Sequence, residues 1–186
     1  MLDIKFYQKI AELKKKIELG LIDDSDYVAN EMELARSQDA IVFNIETTNV
    51  CNMKCKMCPR TTLMTRSIKT MDTQVFRNVV KQINPHSQSE WQEWEDFVVE
   101  NYGISPSAES ENHFFLYVIP KVVVLHGFGE PVLDKEISQK VGLLTDRKIP
   151  SYFSCNPANI NIKKMEDIFK SGLSYIKFSL ESTNDP

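Results

Sequence analysis

Thr48-Asn49-Val50-Cys51-Asn52-Met53-Lys54-Cys55-Lys56-Met57-Cys58-Pro59-Arg60 is the stretch on which the reading of this chain turns. Cys51, Cys55 and Cys58 fall within eight residues at the spacing C-x3-C-x2-C, while the fourth cysteine, Cys155, stands alone. The start of the chain, Met1-Leu2-Asp3-Ile4-Lys5, lacks the apolar run of a secretory signal. In that setting clustered cysteines argue for a metal site rather than a disulfide framework. Three thiolates on a tight loop can hold three irons of a cubane cluster and leave the fourth iron open to a small molecule. An open position is the mark of a catalytic rather than a structural site. A zinc loop is the other possibility; it needs a fourth ligand, for which Cys155, His113 and His126 are the candidates, none at a recognisable spacing.

The segments around the loop give it a setting. Residues 40–47 form a short apolar run ending in Glu46-Thr47-Thr48-Asn49, which predicts a buried strand that delivers the cysteine loop. Within 72–83, Val75, Phe76, Val79, Val80 and Ile83 recur at helical spacing, with Asp72 or Thr70 available as cap. Residues 117–125 are strongly β-rich and lead through His126 into Gly127-Phe128-Gly129-Glu130-Pro131. Beyond them, 135–145 reads as helix, 151–155 as a strand ending at Asn156-Pro157, 162–170 as helix and 175–180 as strand. Four strands alternating with helices predict an α/β fold of parallel βαβ units.

Two regions stand outside that alternation. Residues 1–39 read as a helical flank: Ile4, Tyr7, Ile10, Leu13 and Ile17 recur at three- and four-residue steps before Gly20, and a second helix starts near Asp24 or Ser25 and runs to about Arg36. Residues 40–186 are then the main domain. Within it, about 85–116 behaves as an acidic insertion, with seven acids between Pro85 and Tyr117 and no Lys or Arg, while the other 19 acids and 22 bases carry a net +3. Trp91, Trp94, Phe97 and Val98 share a possible helical face there, read as packing, with a lid or partner surface as the alternative.

The loop, its strand and the glycine segment together resemble the core of a radical S-adenosylmethionine (radical SAM) enzyme, and Asn49, Asn52 and Cys58-Pro59-Arg60 are closest to the branch that carries SPASM or twitch auxiliary domains. The resemblance implies a partial TIM-like (βα) barrel with Cys51, Cys55 and Cys58 on a [4Fe-4S] cluster. It implies that the amine and carboxylate of SAM chelate the open iron, and that one-electron cleavage of SAM gives methionine and a 5′-deoxyadenosyl radical that abstracts hydrogen from a substrate. Gly127-Phe128-Gly129-Glu130 resembles the family's Gly-Gly-Glu segment, with Phe128 in place of one glycine, and is expected to hold the amino end of SAM. Glycine there lets the backbone approach a ligand closely. Asn156, Ser179 and Glu181 sit where the family contacts the methionyl carboxylate or the ribose, and Met57 where it lies near the adenine. Asn156 and Ser179 have a plainer role as caps, Glu181 as a solvated acid and Met57 as core filler.

Cys155 reads as a small buried hydrophobe or a catalytic or auxiliary thiol, and His126 as a structural histidine or an active-site contact. A barrel of this family has six βα units, so a chain stopping at Asn184-Asp185-Pro186 is expected to be truncated after the fourth strand, its barrel completed by a missing C-terminal half or a partner chain. The expected function is an iron-sulfur enzyme with an external reducing electron donor and a peptide, protein or small-metabolite substrate. The alternatives are a non-catalytic iron-sulfur or zinc module, or an interaction fragment of a truncated radical SAM protein. A chain of 186 residues that is 42% hydrophobic with net charge -4 carries no general attraction for nucleic acid, and its longest apolar run, 122–125, is far too short for a membrane span, so the expected compartment is the cytoplasm.

Overall fold

A computed structural model describes residues 1–180. In chain order these form α1 (Ile4–Glu18), α2 (Ser25–Ala35), a single-turn α3 (Pro59–Thr62), α4 (Thr73–Val80), α5 (Gln88–Tyr102), β1 (Val123–Val124), α6 (Ile137–Thr145), β2 (Ser151–Cys155), α7 (Ile162–Lys170) and β3 (Tyr175–Phe178). The described residues divide into two compact units, 1–41 with 86–121 and 42–85 with 122–180. No helix among the described residues is long and apolar enough to cross a membrane.

The first unit joins the N-terminal helices to the acidic stretch. Asp3 and Asp24 cap α1 and α2 by accepting main-chain N–H groups of the first turn. α5 opens with a reciprocal cap between Ser87 and Glu90 and closes on Gly103 in the left-handed region (φ 67°). Ile4, Trp94, Val98 and Tyr117 form its buried cluster, flanked by Leu2, Trp91 and Phe97. Both tryptophans are engaged within the unit. Trp94 donates to the Leu116 carbonyl (2.7 Å), while Trp91 meets the His86 ring edge-on and lies under the Lys121 ammonium.

The strand expected over 117–125 is mostly helical. Residues Phe114–Val118 form a wide π-type turn and Ile119–Lys121 a 3-10 turn, leaving only Val123–Val124 as strand. Pro120 has no N–H for a ladder, and Tyr117 turns inward so that its hydroxyl donates to the Ile104 carbonyl (2.5 Å).

The second unit is built on an open parallel sheet in the order β1-β2-β3, with β1 aligned to β2 at Val123↔Ser151 and β2 to β3 at Tyr152↔Tyr175. The strand expected over 40–47 is reduced to isolated bridges, among them the parallel Asn44↔Val124 on the other side of β1. At its end the chain turns its hydrogen bonds to residues 69–71: Met71 N–H donates to Thr47 O (2.8 Å) and Asn49 N–H to Lys69 O (3.2 Å). α6 and α7 are the crossovers from β1 to β2 and from β2 to β3. Phe76, Val80 and Ile83 at α4, Val122 to Leu125 around β1, Ile137, Val141 and Leu144 of α6, Phe153 and Ile168 form the buried apolar interior. The architecture is α/β with a small, open parallel sheet.

One ion pair is sealed inside this unit. Lys140 and Asp134 have fully buried side chains 2.6 Å apart, and the Lys140 ammonium also donates to Met71 O (2.7 Å).

Candidate functional site

The cysteine loop leaves the diverted strand at Thr48 and is fastened at its base by Asn49. The Asn49 amide accepts the Lys69 N–H (2.6 Å) and donates to Ser67 O (2.9 Å), and its own carbonyl receives the Arg60 guanidinium (2.8 Å). Within the loop, Cys58 N–H donates to Cys55 O (3.1 Å), after which Pro59 opens α3, where its missing N–H costs no helical bond. Asn52 and Asn159 exchange two amide hydrogen bonds (2.6 and 3.1 Å), tying the loop to the turn after β2 across 107 residues of sequence.

Cys51, Cys55 and Cys58 are unbridged, half-buried thiols, and all three line one open cleft of about 640 Å³. The opposite wall comes from the segment after β1 and the ends of β2 and β3. It includes Gly127 to Glu130, Asn156 and Ser179, so the cleft gathers every described residue that the sequence singled out for SAM, with Met57 at its edge, 70% exposed. Glu181 lies outside the described residues. Among the described residues no three His, Cys, Asp or Glu side chains are gathered closely enough to hold a metal ion.

Glu130 carries the charge of the site. It is only 5% exposed; its Oε2 accepts the Asn156 N–H (2.9 Å), while Oε1 is buried with no hydrogen-bond partner among the described residues. Burial raises its pKa, and the Asn156 and Val132 amides and the Asn159 side chain pull it back only in part. A buried carboxylate oxygen without a donor, on a residue that lines a cleft, is suited to an ammonium group. Asn156 serves through its main chain, because its side chain caps the following turn by accepting Ala158 N–H (2.8 Å). The Ser179 and Ser154 hydroxyls share a hydrogen bond (2.8 Å).

The glycines have a different reason from the one expected. A Cβ on Gly129 would lie 1.9 Å from the Thr48 carbonyl oxygen and 2.7 Å from Asn49 Cα, so the residue is glycine because this segment presses against the chain's own backbone at the base of the cysteine loop. Glu130 N–H then donates to Val50 O (2.8 Å), joining the two cleft walls. Gly127 lies against a side chain that sequence reading passed over. The Glu46 carboxylate accepts the Phe128 N–H (2.5 Å) and pairs with Arg66 (2.6 Å), whose guanidinium in turn covers the Phe128 ring at 5.3 Å. Phe128, standing where a second glycine was expected, is thus held on its backbone and on its ring. The signal in the sequence was an acid at the end of an apolar run, one residue before Thr47 and Thr48.

The three candidates for a fourth zinc ligand are otherwise occupied. Cys155 lines the cleft but is 2% exposed, and burial, with a smaller contribution from the Glu130 charge, pushes its thiol up to about 11, keeping it protonated and a poor ligand. His113 belongs to the other unit and bonds Pro106 O (2.9 Å). His126 lines the cleft but uses Nδ1 to accept the Ser154 N–H (3.0 Å).

Removing the Glu130 charge has a predictable effect on the protein without ligands. A carboxyl whose folded pKa is raised binds its proton more readily in the folded state, so its contribution to stability is fully present below the unfolded value and is lost as pH rises through the folded pKa. Glu130→Gln is therefore expected to stabilise the ligand-free protein at neutral pH, by about 1–3 kcal/mol, the cost of an unsatisfied buried polar group. The gain should shrink at pH 4, and urea denaturation at the two pH values checks it.

No family model and no curated protein matches the chain. A crystal structure of BtrN in complex with AdoMet and 2-DOIA is similar at 15% identity and a TM-score of 0.44, over 75% of this chain and 46% of that one. The chain thus spans less than half the length of that structure.

Proposed function

We propose that this chain is the cluster- and SAM-binding part of a radical SAM enzyme, with the parallel sheet as part of a (βα) barrel. The observation that carries the reading is the meeting, in one cleft, of a C-x3-C-x2-C loop with a buried carboxylate whose Oε1 lacks a donor, from segments more than seventy residues apart. By chemical type the donors suit the groups implied: three half-buried thiols for iron, which this structure does not draw together into a metal site, and one orphaned carboxylate oxygen for an ammonium. When bound, a [4Fe-4S] cluster and SAM supply one-electron cleavage of the sulfonium and hydrogen abstraction from a substrate.

The residues of the chain then divide the work. Cys51, Cys55 and Cys58, deprotonated, ligate iron, and the Asn52–Asn159 amide pair limits how far their loop can stray. Glu130 Oε1 accepts the methionyl ammonium, which offsets the burial of its charge and returns its pKa toward the ordinary range. The Ser179 and Ser154 hydroxyls, bonded to each other in the cleft, would serve the ribose or the methionyl carboxylate, and Met57 would lie near the adenine. An external one-electron donor supplies the reductant, and the substrate is a peptide, protein or small metabolite.

The test is electron paramagnetic resonance of anaerobically reconstituted, reduced protein, with and without SAM, against Cys55→Ala. The expected result is a cubane signal that changes on adding SAM and is lost in the variant. A SAM-independent signal would leave a non-catalytic iron-sulfur module, and tightly bound zinc without an iron signal would overturn the radical reading.

A further inference from the structure

His126 lies between β1 and the glycine segment, and its ring and main chain are both held. Ser154 N–H donates to Nδ1 (3.0 Å), the Tyr152 ring meets the imidazole edge-on at 5.4 Å, and the Asn44 amide donates to the His126 carbonyl (2.5 Å). An Nδ1 that accepts a main-chain N–H carries no proton, so a neutral ring must carry it on Nε2. The groups around the ring hold it neutral. Burial comes first and the Lys177 charge on β3 second, both lowering its pKa, and protonation would also break the Ser154 bond. Glu130, in the same cleft, is four residues along the chain and already serves Asn156. The ring of this cleft-lining residue therefore has one donor left to give, Nε2–H, and no base.

We propose that His126 is a ligand-contacting residue, donating a hydrogen bond from Nε2–H to an oxygen of bound SAM. The inference rests on the reading of the cleft as a SAM site. In one cleft Glu130 offers an acceptor for a cation and His126 a donor for oxygen, so the two together match a ligand that carries an ammonium group and acceptor oxygens. SAM has such oxygens in two places, the methionyl carboxylate and the ribose hydroxyls. A donor whose ring is held before the ligand arrives loses little entropy on binding, which is the physical value of the Ser154, Tyr152 and Asn44 contacts.

The decisive variant is His126→Asn, whose amide oxygen still accepts the Ser154 N–H while the Nε2 donor is gone. Nitrogen-15 spectra of histidine-labelled apoprotein should show the His126 signal, identified by its loss in the variant, as a neutral ring protonated on Nε2; an Nδ1–H tautomer or a charged ring overturns the proposal. Equilibrium dialysis of SAM against reconstituted protein should give about tenfold weaker binding for His126→Asn, at a thermal midpoint close to wild type, the loss expected for one hydrogen bond. Decarboxylated SAM identifies the acceptor: a tenfold difference that persists assigns the ribose, and one that vanishes assigns the carboxylate. Equal affinity of the variant and wild type for SAM overturns the role of His126 alone, whereas failure of the wild type to bind SAM overturns the SAM site and this inference with it.

Discussion

Gly129→Ala should cost about 3 kcal/mol of stability, the upper end of overpacking penalties, and abolish SAM binding. The added methyl would sit 1.9 Å from Thr48 O and 2.6 Å from Thr48 C, and both are backbone atoms that no rotamer change can clear. Neither wall can easily retreat. Thr48 is held through its hydroxyl to Val50 N–H (3.1 Å) and Thr70 (2.8 Å), Asn49 is fastened to Ser67 and Lys69, and the glycine segment is tied by Glu130 N–H to Val50 O. Moving either wall would separate the Glu130 carboxylate from the cysteine loop, so binding should fail even in the fraction that folds.

Two other alanines calibrate this result. Gly127→Ala first meets the Glu46 side chain, at 2.6 Å, which can rotate at the cost of its bonds to Phe128 and Arg66, and about 1 kcal/mol is expected. Gly142→Ala, inside α6 with nothing within 4 Å, should stabilise by about 0.5–1 kcal/mol through helix propensity. Urea denaturation of the ligand-free proteins orders the three. A Gly129→Ala protein as stable as Gly127→Ala would mean that the glycine segment does not lie against Thr48.

The same contact shows what could and could not be read from the chain. Elements set by local pattern stand where the pattern put them: α7 and β2 occupy 162–170 and 151–155, and Asp24 caps α2. Local reading failed where distant partners decide. Residues 40–47 have strand composition, but Thr47 and Asn49 spend their hydrogen bonds on 69–71, a pairing that no periodicity announces. Residues 117–121 are apolar and β-rich because Tyr117 fills the cluster around Ile4 and Trp94, not because they pair with a strand. That the first forty residues share a compact unit with 86–121 is equally a matter of distant packing. The cleft itself was legible through its residue types, since cysteine spacing and a Gly-x-Gly-Glu segment are local signals. The reasons for its glycines and the Glu46–Arg66 brace were not, because both depend on which backbone lies opposite.

Lys140→Met should destabilise the protein by about 3–5 kcal/mol, the usual result of stranding one member of a buried ion pair. Lys140 falls on the apolar stripe of α6 with Ile137, Val141 and Leu144, where a lysine is out of place unless it has an internal partner. That partner is Asp134 at 2.6 Å, both side chains being wholly buried. Asp134 is itself held by the Glu136 N–H (2.9 Å), and its carbonyl receives the Lys164 ammonium (2.8 Å). The Lys140 ammonium also reaches Met71 O (2.7 Å), and Met71 N–H is the group that holds Thr47 at the root of the cysteine loop. Methionine fills the volume but leaves the Asp134 charge and the Met71 carbonyl without their donor. If the penalty comes from the stranded charge, adding Asp134→Asn to Lys140→Met should recover a good part of it, and a double-mutant cycle by urea denaturation should give a coupling energy above about 1 kcal/mol. Strictly additive losses would mean that the two side chains do not meet, and that the link from α6 through Met71 to the cysteine loop is absent.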